Sequence, residues 1–274
     1  MPDKEIINLH PRIFYPLWKR SPLSIITSLL IFLYIIFSIN YFNFSIEDLL
    51  NGFSKMKPIL YSMVNWNNFL SWNFNSILIG ILQTLAMAFL GTLAASIISI
   101  PLGLMASRQV VRISFPRFII RRFLDFIRGV DILIWALIFV RAFGLGPFSG
   151  VLAIFVADTG TLSKLYSEAA DNIDNKQIEG LTSSGANKFS TLRFGLIPQV
   201  MPIFISQSLY FFESNSRSAV ILGIVGAGGI GLQLSERMKA QYWDQAFFII
   251  IIILIMVAVI DRLSRFLREK IINI

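Results

Sequence analysis

The sequence predicts an all-α polytopic membrane protein, and two features of its composition carry that prediction. Of its 274 residues, 55% are hydrophobic and only 15% are charged, and the mean hydropathy is +0.69. Soluble domains have about 25% charged residues. In addition, the chain from Pro58 to Ser107 contains no Asp, Glu, Lys or Arg. Most of the chain therefore has no water-facing side on which charge could be placed.

Apolar stretches define the predicted membrane spans in chain order. They cover residues 22–44, 75–107, 132–157, 194–232 and 246–260. A spanning helix needs roughly 20 apolar residues. The third stretch is broken by the letters GLGP and counts as two helices, and the fourth is interrupted by the polar letters ESNSR. The prediction is about six transmembrane helices, which form a single transmembrane domain over 22–274 after an N-terminal tail, 1–21.

Basic residues set the predicted orientation. Cytoplasmic loops of membrane proteins are enriched in Lys and Arg, and most of the 24 basic residues fall in the segments 4–20, 108–122, 164–193 and 262–270. This distribution predicts that both termini, including the tail 1–21, and a loop at about 164–193 lie in the cytoplasm. It also accounts for the net charge of +8, because basic loops meet anionic membrane lipid. We expect no nucleic-acid partner.

The residues needed for most enzyme chemistry are missing. The chain has no cysteine and one histidine, His10, which leaves no thiolate site, His-based triad or two-His metal site. The letters GLTSSG at Gly180 to Gly185 approach a Walker phosphate loop, but Ala186 stands where the lysine should be. We therefore predict a pore or carrier that is not an enzyme, has no metal site and binds no cofactor of its own.

The polar segment 164–193 is predicted to contain a short cytoplasmic helix. Its helical part runs from Asn175 to about Ser183 and ends at Gly185, where a glycine allows a tight break. Pro198 then limits where the next helix can begin, since proline cannot continue a helix that precedes it.

The stretch from Glu179 to Pro198, EGLTSSGANKFSTLRFGLIP, resembles the cytoplasmic EAA loop of ABC importer permeases. Glu179, Gly185 and Pro198 keep the spacing of that family, whereas Gly180 and Leu181 replace its two alanines. The resemblance implies that these five residues couple the membrane helices to a separate ATPase, whose closure they transmit. The alternative is an ordinary amphipathic helix at the membrane interface.

Two further stretches resemble phosphonate importer permeases, a branch of the ABC importers with a methionine-importer-like fold. They cover residues 125–169 and 213–231, so the resemblance extends over roughly the C-terminal half of the chain. One departure is Asp158, where the family often has a histidine. The resemblance implies a homodimer in the bacterial plasma membrane, an extracytoplasmic substrate-binding protein, and a cytoplasmic ABC ATPase dimer that uses ATP and Mg²⁺.

The cargo implied by this resemblance is a phosphonate or a related phosphorus oxyanion such as phosphite. One alternative is a permease for methionine or another organic solute, which the cargo-specific binding protein would distinguish. A second is an ion-driven secondary transporter, which would be built from inverted repeats, and the sequence shows no such repeat. An intramembrane enzyme is disfavoured by the missing histidines and cysteines.

The glycine-rich stretch GIVGAGGIG resembles a nucleotide-binding pattern only in its letters. Gly226, Gly228 and Gly231 match G-x-G-x-x-G, but that loop requires a preceding strand within a βαβ unit, whereas this stretch follows an apolar helical sequence. We predict instead a gating backbone element formed by Gly223, Gly226, Gly228, Gly229 and Gly231. Such glycines allow close helix contact and irregular backbone inside the membrane.

Charged residues in or beside the spans are candidates for the substrate path, because charge is costly inside a membrane. Asp125, Arg128 and Asp131 are spaced i, i+3 and i+6 on one predicted helix. Arg128 can pair there with either acid. We include Arg128 and Asp131 in the predicted substrate path.

The letters ESNSR contribute a second cluster, formed by Glu213, Asn215 and Arg217. An Arg fork beside Ser and Asn donors suits a phosphonate or a phosphate-like anion, so these three residues complete the predicted path. The alternative is that Arg217 pairs with Glu213 at i+4 and only holds the helix break.

Overall fold

The computed structural model describes residues 22–42, 45–66, 69, 72–111 and 113–272. The predicted cytoplasmic tail, 1–21, lies outside the described residues. By Cα proximity the chain divides into two units, Met1–Tyr61 and Ser62–Ile274. The boundary at Tyr61 differs from the predicted one at residue 22, and a single domain over 22–274 stays a prediction.

The first unit contains helix α1, Pro22–Tyr41, and most of helix α2, Ile46–Val64. Apolar side chains lie on all sides of α1, as expected of a membrane span. Helix α2 is amphipathic and has Glu47 and Asp48 in its first turn, where negative charges are favourable.

The second unit is built from helices α3 to α10. Their bounds are α3 Phe74–Ala106, α4 Ser114–Gly129, α5 Ile132–Phe143, α6 Pro147–Asp171, α7 Asn175–Ser183, α8 Ile197–Leu222, α9 Gly229–Lys239 and α10 Trp243–Ile272. A helical turn, Lys188–Ser190, and a π-helical turn, Thr191–Leu196, lead into α8, and a second π-helical turn, Gly223–Ala227, separates α8 from α9. No strand occurs in the part of the chain that the structure describes, which confirms the all-α prediction.

The apolar helices agree with the predicted spans. Four segments are long and apolar enough to cross a membrane, namely Phe74–Ala106, Pro147–Asp171, Lys188–Ala227 and Trp243–Ile271. Two shorter apolar helices, Ile25–Tyr41 and Ile132–Phe143, accompany them. The chain is therefore a multi-pass membrane protein with about six apolar helices, as predicted, while the orientation of its termini stays a prediction.

Helices α3 and α6 form the centre of the second unit. Small residues on α3, including Gly91 and Gly103, face α6 and leave almost no space between the two backbones. A Cβ atom at Gly91 would lie 2.7 Å from Ile154 Cβ, and one at Gly103 would lie 2.7 Å from Tyr166 Cβ. Since lipid tails are as apolar as leucine, helices in a membrane associate through such close packing.

The predicted helix through Asp125 and Asp131 breaks between these two residues. Helix α4 ends at Gly129, and Val130 is extended with φ −98° and ψ 125°. Asp131 then begins α5 by accepting a hydrogen bond from the Leu133 amide at 2.8 Å. A carboxylate that satisfies a free amide in this way favours a new helix start. The prediction that these acids share one helix is wrong.

Helix α6 continues beyond the start of the predicted cytoplasmic loop at residue 164 and ends at Asp171. The buried Tyr166 explains the extension, because its ring stacks on Phe204 of α8 with centroids 4.0 Å apart. Its hydroxyl also lies 2.6 Å from Ser208 Oγ. The first residues of the segment 164–193 are therefore packed helix rather than loop.

Candidate functional site: a cytoplasmic helix and a polar cavity

The predicted cytoplasmic helix is α7, and its bounds, Asn175–Ser183, are those expected from the sequence. Asp174 begins the helix by accepting a hydrogen bond from the Lys176 amide at 3.0 Å. Glu179 and Gly180 are exposed, and no described atom lies within 4 Å of the position that a Cβ would take at Gly180. This face of α7 is open to a partner.

The end of α7 is a Schellman motif. The Gly185 amide donates to Thr182 O at 3.0 Å, and the Ala186 amide donates to Leu181 O at 3.0 Å. Gly185 has φ +81°, a conformation that favours glycine, so the predicted break at this residue is confirmed. The Leu181 side chain turns away from the open face, and its Cδ1 would lie 3.0 Å from a Cβ at Gly195.

Pro198 stands in the first turn of α8, directly after the π-helical turn Thr191–Leu196. The first turn of a helix tolerates proline, because its amides have no partner within the helix.

Asp171 joins three helices close to α7. Its Oδ1 atom accepts hydrogen bonds from Ser107 Oγ at 2.7 Å and from the Arg108 amide at 2.6 Å. Its Oδ2 atom lies 2.9 Å from Arg121 Nη2, and Arg121 Nε donates to Ala106 O at 2.9 Å. These contacts tie the ends of α3 and α6 to α4.

A further contact reaches α7 itself, because Gln109 Nε2 donates to Asn175 Oδ1 at 2.9 Å. We call Asp171, Arg121, Gln109 and Asn175 the polar junction. The sequence analysis did not single out Asp171 or Arg121. Their pairing joins residues that are 50 positions apart, so no local spacing indicates it.

Asp125 pairs with α6 rather than with Arg128. Lys164 Nζ lies 2.9 Å from Asp125 Oδ1, and Arg122 Nη1 lies 3.6 Å from Oδ2. The hydrogen bond from Lys164 lowers the pKa of Asp125 below its usual value. Asp131 uses one oxygen as the cap of α5, and among the described residues Arg128 forms no ion pair. The predicted pairing of Arg128 with either acid is therefore wrong.

The break between α4 and α5 borders a cavity of about 250 Å³, which we call the kink cavity. Three of the five residues predicted for the substrate path line it, namely Arg128, Asp131 and Asn215. The remaining polar lining consists of Asp158, Thr161, Ser214 and Ser218. Arg128 and Asp131 are exposed, while Asp158 and Asn215 are buried, so the cavity has a charged open side and a polar floor.

The floor of the kink cavity is a hydrogen-bonded group from three helices. Asn215 Nδ2 of α8 donates to Thr92 Oγ1 of α3 at 2.7 Å and to Asp158 Oδ2 of α6 at 2.5 Å. The three residues are between 3% and 5% exposed. Asn215 donates its two amide hydrogens to Thr92 and Asp158, so it holds the carboxylate of Asp158 in place beside the cavity.

Sequence reasoning noted Asp158 only as a departure from a family pattern and did not place it in the substrate path. The signal was present, because Asp158 is the only acid between Pro147 and Lys164 in an otherwise uncharged stretch. An acid in such a position is a functional candidate by default.

Glu213 and Arg217, the other two residues predicted for the path, face α10 instead of the cavity. Arg217 Nη1 lies 2.8 Å from Asp261 Oδ1, and Arg217 Nη2 lies 3.6 Å from Glu213 Oε1. Glu213 Oε2 also lies 2.5 Å from Arg268 Nη2. The pairing of Arg217 with Glu213 at i+4 agrees with the stated alternative. Helix α8 runs unbroken through both residues, so the expected helix break at ESNSR is wrong.

The glycine-rich stretch is a buried reversal of the backbone at the end of α8. Gly226, Gly228 and Gly229 have φ values of +109°, +80° and +71°, a region that other residues rarely adopt. The Gly226 carbonyl accepts a hydrogen bond from the Gly146 amide at 3.1 Å, which joins this turn to the link between α5 and α6. A helix precedes the stretch, so the strand that a dinucleotide loop requires is absent here. Gating by these glycines stays a prediction.

These features define an α-helical membrane protein with one open helix, α7, and a polar cavity between its helices. The chain belongs to the binding-protein-dependent transport system inner membrane component family, whose model matches residues 99–273. It is thus the permease subunit of an ABC importer rather than an ion-driven secondary transporter.

Three curated relatives are named for phosphorus oxyanions. HtxC of Stutzerimonas stutzeri, provisionally named a phosphite transport system permease protein, is 40% identical over 72% of this chain and 70% of its own length. PhnE of Mycolicibacterium smegmatis, a phosphate-import permease protein, is 37% identical over 69% of this chain and 36% of its own length. PhnE2 of Escherichia coli, provisionally named a cryptic phosphonate transport system permease protein, is 46% identical over 43% of this chain and 98% of its own length.

The fold matches that of a solved transporter. The MetNI methionine ABC transporter in an inward-facing conformation aligns with a TM-score of 0.63 over 75% of this chain and 99% of that chain. The sequences are 17% identical, so this likeness concerns the fold alone. The expected methionine-importer-like fold is confirmed.

Proposed function

We propose that this permease carries a phosphorus oxyanion of the phosphonate, phosphite or phosphate type into the bacterial cell. The proposal rests on two observations together. Relatives of this chain are named for these three oxyanions, and the chain has a polar cavity between its helices with Arg128 at the open side. A guanidinium suits an oxyanion because it offers several donors in a planar fork. Hydroxyl groups of Thr161 and Ser214 line the same cavity and can donate to further oxygens.

The route from ATP hydrolysis to this cavity runs through α7 and the polar junction. In our proposal, the open face at Glu179 and Gly180 docks on a cytoplasmic ATPase dimer, which uses ATP and Mg²⁺. Movement of α7 passes through Gln109 and Asp171 to α3 and to Arg121 of α4. Arg128 lies on α4 about two helical turns beyond Arg121, so a shift of α4 moves the cation at the cavity.

The proposed assembly is a homodimer of this chain with its ATPase pair and an extracytoplasmic binding protein that delivers the cargo. Both termini are cytoplasmic in this proposal, and the chain has no enzymatic activity and binds no cofactor of its own. The basic segments on the cytoplasmic side contact anionic lipid.

Uptake by reconstituted vesicles tests the function directly. The vesicles contain this chain, the ATPase and the binding protein encoded with it, and they are offered phosphonate, phosphite, phosphate or methionine with and without ATP. We expect ATP-dependent uptake of at least one phosphorus oxyanion and none of methionine. Uptake of methionine alone, or uptake without ATP, would overturn the proposal.

A further inference from the structure

We propose that the kink cavity holds its phosphorus oxyanion together with one proton, which is shared between Asp158 and an oxygen of the oxyanion. This inference rests on the proposed function and adds the protonation state in which the cargo crosses. Its basis is the placement of a buried carboxylate on the floor of a cavity whose described lining contains one cation, Arg128, at the open side.

The geometry leaves one oxygen of Asp158 free for a ligand. Asp158 is 5% exposed and lines the kink cavity. Its Oδ2 atom accepts the hydrogen bond from Asn215 at 2.5 Å, and no described residue donates to its Oδ1 atom. Because Asn215 also donates to Thr92, it holds the carboxylate in place and has no amide hydrogen left for the cargo.

The charges around Asp158 do not favour a doubly charged cargo. Within the described lining, Arg128 is the one cation, and two acids, Asp131 and Asp158, line the same cavity. Lys164 of α6 is engaged by Asp125, and the charged residues of α8 nearest to the cavity are paired toward α10. Helices α3 and α8 present only the uncharged Thr92 and Asn215 to the carboxylate.

Tyr166, another titratable residue of α6, is neutral or negative and never positive. Its hydroxyl is already hydrogen-bonded to Ser208. It therefore supplies no charge to balance a second negative charge on the cargo.

Two acidic groups held in one site share a proton, because both cannot be ionised at low cost. The second ionisation of a phosphate-type group occurs near pH 6, so a proton is available close to neutral pH. A hydrogen bond between a carboxylate and a P–OH group is of the strong, charge-assisted kind. The kink cavity consequently accepts the cargo and Asp158 with one proton between them. It rejects a doubly charged cargo beside an ionised Asp158.

The first test compares wild type with Asp158→Asn in reconstituted vesicles from about pH 6 to about pH 8, a range that spans the second ionisation of the cargo. The asparagine amide can donate to a doubly charged cargo, so the variant needs no shared proton. We expect the ratio of variant to wild-type uptake to rise with pH, by up to roughly tenfold for each unit above the shared titration. This ratio cancels the pH dependence of the binding protein and of the ATPase.

Asp244→Asn is the matched control, because it makes the same chemical change in the first turn of α10, away from the cavity. Its ratio to wild type should not change with pH. A ratio for Asp158→Asn that is equally flat would overturn the inference.

The second test uses the wild-type protein and does not depend on whether the variant folds. Methylphosphonate and difluoromethylphosphonate differ in that fluorine lowers the second pKa of the phosphonate. We expect the pH at which uptake falls by half to be lower for the fluorinated cargo, after correction for binding-protein occupancy measured in the same buffers. Equal midpoints would overturn the inference. Absence of ATP-dependent uptake of every phosphorus oxyanion at every pH would instead overturn the proposed function.

Discussion

Substitution of Gly223 by alanine tests the role of the glycine-rich turn most directly. Gly223 is buried at the end of α8. A Cβ atom there would lie 2.5 Å from Gly228 O, 2.8 Å from Gly231 Cα and 2.9 Å from Leu232 N. All three atoms belong to the backbone, so no side chain can rotate away. The turn itself has to move.

The expected cost follows from this overlap. Overpacking of a close-packed interior costs about 1–3 kcal/mol, and we expect Gly223→Ala to lie at the upper end because three backbone atoms must shift. At that end the equilibrium constant for unfolding rises by roughly 100-fold, since 1.4 kcal/mol corresponds to a factor of ten. Contacts between α8 and α9 should loosen first.

Gly52→Ala is the matched control for this substitution. Gly52 lies inside helix α2, and no described atom is within 4 Å of the position its Cβ would take. Alanine is favoured over glycine in a helix by about 1 kcal/mol, so the control should be as stable as wild type or more stable. Thermal unfolding in lipid nanodiscs and ATP-driven uptake are measured for both variants. If Gly223→Ala unfolded at the wild-type temperature, the close approach of α8 and α9 would not be real.

Four further substitutions separate coupling from stability. Glu179→Ala should abolish docking of the ATPase and ATP-driven uptake without lowering the unfolding temperature, because its side chain is exposed on α7; unchanged uptake and docking would contradict the coupling role. Gly185→Ala should destabilise the end of α7 by about 1 kcal/mol, since φ is +81° at this residue. Hydrogen exchange of the α7 amides measures this change. Unchanged protection of these amides would argue against the Schellman motif. Asp171→Asn should leave ATP hydrolysis in place but reduce uptake per ATP, because Arg121 loses its charged partner; equal loss of both activities would indicate a merely structural role. Arg217→Gln should lower the free energy of unfolding by no more than about 1 kcal/mol, as expected for a partly exposed ion pair. The variant should keep the cargo preference of wild type. A selective loss of oxyanion uptake at unchanged stability would restore the predicted role of Arg217 in binding the anion.

Local patterns predicted those parts of the candidate site that depend on neighbours in sequence. The bounds of α7 and its end at Gly185 follow from a helical stretch and a glycine in a position that requires positive φ. The prediction of one anion site from the letters ESNSR was misleading, because it did not consider which side of the helix each residue faces. Asn215 and Arg217 are only two positions apart in the letters ESNSR, but side chains two positions apart on a helix are rotated by roughly 200° from each other. Asn215 therefore faces the kink cavity and Arg217 faces α10.

The sequence by itself determined the membrane class, the approximate number of apolar helices and the position of helix α7 in the chain. These properties follow from hydropathy, which each segment carries independently of its partners. Only the tertiary structure decided that Asp131 begins a new helix, that Asp171 joins α3, α4 and α6, and that Asp158 lies beside Asn215 and Thr92. These contacts join residues far apart in the chain, and the partner of a buried polar group depends on which helices pack against its own.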